Sequence, residues 1–334
     1  MAPGGAGDQW RPGRGGGDAL VSPVMAVDSR LDIDEVRRAV DRIAVLPATP
    51  AVAVSEHLWL KLENLQPTGS FKVRGFLNAV RALRSADLQA GIVTVSAGNA
   101  ALAAAYVARM AGIACKVVMF DSAPAAKRDG VRALGAEVLS WPRAQVLAWM
   151  AERGWEAMPE RFVHPFADPA VIAGHGTMAL EMLEQVPGIR RLVVAVGGGG
   201  LASGVGSVMH AAGRAVEVVG VQSSGYPLWG RTFADGAPPA LVPDTIADGT
   251  TAPYDPVMHD RLRSAVDRWV EVPEADLRAA VAELALRHKV VAEGAGALAY
   301  AAAAQLAGSE PTVAIVSGGN IDGPRLAGLL SSGH

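Results

Sequence analysis

The sequence "VVAVGGGGLASGVGSV" (residues 193–208) joins a continuous apolar run to a helix-like pattern through four consecutive glycines. A strand buried on both faces of a parallel sheet has such an apolar run. Gly197 to Gly200 allow a sharp turn that aims several backbone N–H groups at one point, and the next helix adds its positive dipole end. No GK[ST] follows, so this is not a Walker A loop. A flexible linker would not stand between a buried strand and a helix, so the stretch predicts a strand, a phosphate-binding turn and a helix.

Further short apolar runs recur along the chain and alternate with helix-like segments. The runs predict strands at residues 58–62, 92–96, 115–120, 136–140, 192–197, 216–222 and 312–318. The segments between them predict helices at 99–112, 125–134, 174–186, 201–213, 274–289 and 294–307. This alternation indicates an α/β fold in which helices cover parallel sheets. Ligands in such folds bind at the carboxyl ends of the strands, so the loops at those ends are the candidate sites.

Length and composition limit the class of protein. The 334 residues are enough for two lobes or one large α/β unit. The residues are 50% hydrophobic and 19% charged, and a formal net charge of -3 gives no broad basic surface for nucleic acid. The single cysteine, Cys115, excludes an internal disulfide, and the seven histidines lack the spacing of a zinc site.

We expect no targeting signal in the amino-terminal segment. Residues 1–28 open with a stretch in which seven of the first seventeen residues are glycine, and we predict a disordered tail there. The short apolar stretch that follows an acid in this region makes a poor signal peptide. No apolar run reaches the roughly 18–20 residues that a membrane helix needs. We therefore expect a cytoplasmic protein without a membrane partner.

Two more loops stand where a predicted strand meets a helix or a turn. In "SAGNA" (residues 96–100), the N–H groups of the turn could hold a carboxylate, although Asn99 taken alone is better explained as a plain N-cap. In "SGGNID" (residues 317–322), the Ser317 hydroxyl can donate or accept a hydrogen bond, and two glycines permit the close approach of a flat ligand. Taken alone, each loop is also explained as an ordinary turn.

The stretch "TGSFKVRG" (residues 68–75) places a lysine among small residues. A lysine that forms a Schiff base must be held against its cofactor by a rigid backbone, with an aromatic neighbour to pack on the ring. Lys72 and Phe71 meet those needs. Taken alone, Lys72 is also explained as a solvated surface charge.

These loops together resemble one family. The motifs "SFKVRG", "SAGN", "HPFADPAVIAGHGT", "GGGGL", "TIADGT", "VVAEGAGAL" and "SGGN" stand in the order found in fold type II pyridoxal-phosphate (PLP) enzymes of the serine/threonine dehydratase branch. The resemblance implies a two-lobed α/β fold with parallel twisted sheets flanked by helices and PLP between the lobes. The large domain would comprise residues 29–83 and 166–334, and the small domain residues 84–165. It also implies a homodimer.

The resemblance implies a role for each matching position. Lys72 would form the Schiff base with PLP and act as the general base. Asn99 would bond the ring's 3′-oxygen, and Ser317 would bond the pyridine nitrogen. The implied cofactor contacts are Phe71, Lys72, Asn99, Gly197, Gly198, Gly199, Gly200, Leu201, Gly249 and Ser317. The implied substrate contacts are Ser96, Ala97, Asn99, Ala100 and Arg143.

The chain departs from the family pattern at four positions. Ala100 stands where many relatives have histidine, and His175 replaces a common glutamine. Ala97 stands where serine racemases carry the acid for the opposite face, which argues against efficient racemisation. Gln222 replaces the glutamate of the family's cation site, so we predict no metal.

The resemblance implies an activity but leaves more than one reaction open. We expect PLP-dependent α,β-elimination of a serine- or threonine-like β-hydroxy amino acid to a 2-oxo acid and ammonia. A β-replacement enzyme would use the same site, but its relatives usually have "TSGNTG" on the carboxylate loop. A racemase or a non-catalytic PLP-binding protein could also carry these motifs. The sequence does not identify the side chain of the substrate.

Overall fold

The computed structural model describes residues 31–213, 215–306 and 308–331. The predicted disordered tail, residues 1–28, lies outside them. The strands are Ala51–Ala53 (β1), Leu58–Leu62 (β2), Ile92–Val95 (β3), Cys115–Phe120 (β4), Glu137–Trp141 (β5), Arg161–Phe162 (β6), Arg191–Ala195 (β7), Glu217–Ser223 (β8), Arg268–Val272 (β9) and Thr312–Val316 (β10). The helices are Ile33–Ile43 (α1), Lys72–Ala82 (α2), Asn99–Ala111 (α3), Ala125–Ala133 (α4), Arg143–Ala151 (α5), Pro169–Gln185 (α6), Gly200–Ala211 (α7), Leu228–Asp235 (α8), Pro256–Ala265 (α9), Glu274–Leu286 (α10), Gly294–Gln305 (α11) and Gly323–Ser331 (α12).

The strands form two separate sheets. The larger has the order β1-β2-β10-β7-β8-β9, and every neighbouring pair is parallel except β1 with β2. The smaller has the order β5-β4-β3-β6 and is parallel throughout. The predicted parallel α/β fold is therefore confirmed. The smaller sheet falls within the predicted small domain, whose bounds stay a prediction.

Apolar side chains cover both faces of the larger sheet. One core cluster joins alternate residues of β7 and β10 to helices α6 and α7, and a second joins the opposite faces of the same strands to α10 and α11. This two-sided burial explains why the central strands are continuous apolar runs. Helices α6 and α7 approach closely, because a Cβ at Gly204 would lie 2.5 Å from the Ile172 carbonyl oxygen.

Helix α6 begins five residues before the predicted start at residue 174. The Asp168 side chain accepts hydrogen bonds from the backbone N–H groups of Ala170 and Val171, which makes it the N-cap. Pro169 occupies the first helical position, where its missing N–H removes no hydrogen bond. The cap and the proline, rather than the apolar periodicity, determine where this helix begins.

A buried ion cluster anchors helix α2 behind the candidate lysine. The Arg74 guanidinium contacts Glu63 through Nε and Nη2, each at 2.8 Å, and Glu181 through Nη1 at 2.6 Å. Lys61 donates to the same Glu181 carboxylate at 2.5 Å. Burial opposes the charge on Arg74, but the two carboxylates outweigh it and raise the pKa of Arg74. The cluster joins β2, α2 and α6.

Candidate active site

The predicted site loops meet at the carboxyl ends of parallel strands. The turn after β10 and the loop before α2 are joined by backbone hydrogen bonds. The Phe71 N–H donates to the Ser317 carbonyl at 3.0 Å, and the Gly319 N–H donates to the Gly69 carbonyl at 2.9 Å. Gly69 has a φ of +70°, which favours glycine, and a Cβ there would lie 2.4 Å from the Asn320 side chain. Two distant sequence motifs thus form one rigid unit.

Lys72 lies at the first position of α2. The residue as a whole is half-buried, but its amine is buried next to the chain that leads into α6. Its Nζ donates to the Pro165 carbonyl at 2.7 Å and lies 5.1 Å from the centroid of the Phe71 ring. No carboxylate of the described residues forms an ion pair with it. Burial alone lowers the pKa of Lys72 to about 8. A buried amine without an acidic partner is a candidate nucleophile and base rather than a surface charge.

The four-glycine turn follows β7 and leaves no room for side chains. A Cβ at Gly198 would lie 2.4 Å from the Phe166 ring, and one at Gly200 would lie 2.4 Å from the Phe166 carbonyl oxygen. Gly199 has a φ of +92° and precedes the first residue of α7. The turn is held from the other side by the Trp229 indole, which donates to the Gly197 carbonyl at 2.7 Å. Such a loop at a helix N-terminus suits an anion such as a phosphate.

The Asn99 side chain connects the turn after β3 to the turn after β10. Its Nδ2 donates to Glu293 at 2.6 Å, and its Oδ1 accepts from Asn320 at 2.8 Å. The interpretation of Asn99 as an N-cap is wrong. The cap is Gly98, and the Gly98 N–H donates to the Ser96 hydroxyl at 3.0 Å. The Asn99 amide therefore binds residues that are distant in the sequence, whereas a capping rule predicts that it binds the backbone of its own helix.

A family model described as pyridoxal-phosphate dependent enzyme matches residues 41–318. The chain belongs to this family. It is 37% identical to the L-threonine ammonia-lyase of Thermotoga maritima over 314 residues, and the alignment covers 90% of this chain and 78% of the relative. It is 34% identical over 294 residues to a catabolic L-threonine dehydratase of Staphylococcus aureus, covering 83% of each chain. The structure of maize serine racemase superposes with a TM-score of 0.82 at 30% identity, covering 91% of this chain and 98% of that one.

The geometry of this PLP enzyme fits its cofactor. The Lys72 amine has no acidic partner among the described residues and can form the covalent link. The glycine turn leaves no room for a Cβ and precedes the N-terminus of α7, which suits the cofactor phosphate. The Ser317 side chain is buried at the end of β10, where its hydroxyl makes a long contact of 3.4 Å with the Ala295 carbonyl. Gly249 is exposed, and its carbonyl oxygen would lie 3.1 Å from a Cβ at Gly197. Leu201 is buried in the first turn of α7.

The predicted substrate residues of the PLP enzyme lie along one sheet edge. Ser96 and Ala97 are half-buried just after β3, and Ala100 is buried in the first turn of α3. Arg143 begins α5 after β5 and lies over the Phe120 ring, 4.9 Å from its centroid. The contacts of the described residues do not join Arg143 directly to the SAGN turn. Its role in binding substrate stays a prediction.

Gln222 is fully engaged in protein contacts. Its Nε2 donates to the Val196 carbonyl at 3.1 Å, and its Oε1 accepts from the backbone N–H groups of Trp229 and Gly230 at 2.7 and 3.0 Å. The side chain therefore ties the glycine turn to α8. Among the described residues, no group of three or more His, Cys, Asp or Glu could hold a metal ion.

Sequence reasoning missed three residues of this site. Phe166 packs on the glycine turn, and Asn320 and Glu293 hold Asn99. His175, noted only as a substitution, is buried with its ring 4.7 Å from that of Phe71, and burial lowers its pKa well below the usual range. An acid directly before the glycines of "VVAEGAGAL" was the available signal for Glu293, because an acid in an otherwise apolar motif needs a partner.

Replacing Gly200 by alanine is expected to weaken PLP binding at least about tenfold, because the new Cβ overlaps the Phe166 carbonyl and displaces the start of α7. The affinity can be measured by titrating cofactor-free protein and following the visible absorbance. Gly188→Ala is the matched control, since nothing lies within 4 Å of a Cβ there. Equal affinities for the two variants would contradict the role of the turn.

The buried amine also predicts a pH dependence of stability. Burial lowers the pKa of Lys72 from 10.5 to about 8, so between these values the unfolded chain binds more protons than the folded one. The free energy of unfolding of the cofactor-free protein should therefore rise with pH across this window. Lys72→Met should remove that component, which urea unfolding at several pH values would measure. An unchanged pH slope in the variant would contradict the lowered pKa.

Proposed function

We propose that this PLP enzyme catalyses the α,β-elimination of a serine- or threonine-like β-hydroxy amino acid to a 2-oxo acid and ammonia. The observation that carries the proposal is the buried Lys72 amine, which has a backbone carbonyl as its hydrogen-bond partner and a pKa lowered to about 8. A base with a pKa near the working pH is the most effective at removing a carbon-bound proton. The names of the two relatives, an L-threonine ammonia-lyase and an L-threonine dehydratase, support the substrate class.

Each part of the site has a role in this proposal. Bound PLP supplies the electron sink that makes the substrate's α-proton removable. The Lys72 amine takes that proton, and the backbone N–H groups of the Ser96–Asn99 turn orient the substrate carboxylate. The glycine turn holds the cofactor phosphate. Ser317 offers a neutral hydroxyl to the pyridine nitrogen, which is a weaker proton donor than a carboxylic acid and so favours prompt loss of the leaving group.

The proposed elimination needs no oxidant or reductant. The α-carbon loses a proton to Lys72, and the β-carbon loses its hydroxyl, which leaves with a proton as water. The enamine that remains takes up a proton from water at its β-carbon and becomes an imine. Water then replaces the nitrogen at the α-carbon, so the products are a 2-oxo acid and ammonia. The lobes proposed at residues 29–83 with 166–334 and at 84–165 would close over the substrate and exclude bulk water. A cytoplasmic homodimer is part of the same proposal, and the family resemblance supports the homodimer.

Two other reactions could use the same residues. The likeness to a serine racemase supports a racemase, but Ala97 offers no proton to the opposite face of the substrate. A β-replacement enzyme would admit a second nucleophile in place of water.

A product assay separates these reactions. The PLP-loaded protein is incubated with both enantiomers of serine and threonine and with larger β-hydroxy amino acids, and 2-oxo acid and ammonia are measured together. Equal amounts of the two products support elimination, and alanine, which lacks the β-hydroxyl, is the control. Loss of optical rotation without 2-oxo acid would show a racemase, and a new amino acid formed with added sulfide would show β-replacement. No 2-oxo acid from any substrate would overturn the proposal.

A further inference from the structure

The Thr68 backbone carbonyl determines, through Asn320, which way the Asn99 amide is oriented. The Asn320 Nδ2 donates to the Thr68 carbonyl at 2.8 Å and to the Asn99 Oδ1 at 2.8 Å. A carbonyl oxygen can only accept, so the nitrogen of Asn320 must face Thr68. Both hydrogens of that nitrogen are then used. The Asn99 atom that faces Asn320 must therefore be its oxygen, because two N–H groups would repel each other.

It follows that the nitrogen of Asn99 faces Glu293, to which it donates at 2.6 Å. A side-chain amide nitrogen carries two hydrogens, and Glu293 accepts one of them. The second has no acceptor among the described residues. The pair Glu293 and Asn320 thus holds Asn99 in one orientation and leaves a single N–H donor for a ligand.

Glu293 lies between two elements of the cofactor site. It is buried at the start of α11, and its backbone N–H donates to the Gly318 carbonyl at 3.1 Å. A Cβ at Gly318 would lie 2.4 Å from the Glu293 Oε1 and 3.1 Å from the Asn99 Nδ2. The carboxyl group therefore lies against the turn that follows Ser317 and also contacts Asn99.

The charged groups around Glu293 come from three other elements. Burial raises the pKa of Glu293 to about 7, the hydrogen bond from Asn99 lowers it, and Asp248 raises it. Lys127 of α4 and Arg325 of α12 lower it. Both cations approach Asp248, at 3.1 and 3.9 Å, so their effects on Glu293 are partly cancelled and burial dominates. Burial therefore makes Glu293 easier to protonate than a surface glutamate.

We propose that Glu293 is a positioning residue that holds the Asn99 amide so that one N–H faces the cofactor's ring oxygen, and that its negative charge favours the protonated form of the lysine-linked cofactor. The inference rests on the proposed function and on the contact between Asn99 and the cofactor's ring oxygen that the family resemblance implies. It assigns a role to an acid that the elimination reaction itself does not use.

Two substitutions at one position separate the two parts of the proposal. Glu293→Gln keeps an oxygen that can accept from Asn99 but removes the charge. We expect it to lower the pKa of the visible absorbance transition of the PLP-loaded protein by about one unit, while the Kd for PLP changes less than about threefold. Glu293→Ala also removes the acceptor, and we expect the Kd for PLP to rise at least about tenfold. Absorbance from about pH 5 to about pH 10 and cofactor titrations give both quantities.

Further variants and outcomes show whether these effects are specific to Glu293. Glu271→Gln, at an exposed acid paired with Arg231, should shift neither quantity. Asn320→Ala should raise the Kd for PLP without shifting the absorbance transition, and it serves if Glu293→Ala does not fold. A wild-type absorbance titration for Glu293→Gln, or wild-type PLP affinity for both alanine variants, would overturn the proposal. The titration uses no substrate, so it still decides the role of Glu293 if no β-hydroxy amino acid is consumed.

Discussion

Lys72→Ala is expected to lower the rate of 2-oxo acid formation by about 10⁴-fold, because it removes both the covalent anchor of PLP and the base that takes the α-proton. The wild-type amine is buried, forms no ion pair with the described residues and has a pKa lowered to about 8. Helix α2 contains no second lysine that could replace it. The rate is measured from ammonia release at saturating substrate and PLP.

The control for this variant is Lys289→Met, which changes an exposed lysine whose amine contacts the Leu286 carbonyl. It should retain the wild-type rate. Adding a small primary amine should partly restore activity to Lys72→Ala, since the lost group is an amine and the rest of the pocket is intact. A Lys72→Ala protein that works at the wild-type rate would show that the proposed mechanism is wrong.

Arg74→Met is expected to lower the free energy of unfolding by about 3–5 kcal/mol. The substitution leaves Glu63, whose side chain is fully buried, without the guanidinium that contacts both of its carboxylate oxygens. Glu181 keeps a cation, because Lys61 remains beside it. Urea unfolding of the cofactor-free protein measures the loss without a contribution from bound PLP.

Arg84→Met supplies the comparison for the buried cluster. Arg84 contacts Asp87 at 2.9 Å, but its side chain is 83% exposed, and such surface pairs contribute about 0–1 kcal/mol. Adding Glu63→Gln to Arg74→Met should recover part of the stability, because the double variant no longer contains an unpaired carboxylate at position 63. Equal stabilities for the Arg74 and Arg84 variants would contradict the view that the cluster anchors α2.

The sequence predicted the central strands within two residues, because strands covered on both faces are continuous apolar runs. It did not predict three peripheral strands. β1 has three residues and β6 has two, which is too short to show a pattern. β9 is the edge strand "RWVEV", in which two charged residues interrupt the apolar run. Edge strands lack the two-sided burial that makes the central ones recognisable.

The site was predictable where its chemistry is local. The glycine turn and the lysine at a helix start are each contained in a few consecutive residues. The partners of Asn99 are not, because Glu293 lies 194 positions away and Asn320 lies 221 positions away in the sequence. A capping rule that considers only neighbouring residues therefore assigned Asn99 to its own helix. Only the fold brings these side chains together.

The position of β10 determines when the site can form during synthesis. β2 and β7 do not pair with each other, and each forms its parallel ladder with β10. A ribosome must therefore complete residues 312–316 before the two halves of the larger sheet can join. Until then the nascent chain has two unpaired strand edges, and the Phe71 N–H lacks its acceptor at Ser317. Chains that terminate before residue 312 would keep these strand edges unpaired, which favours aggregation.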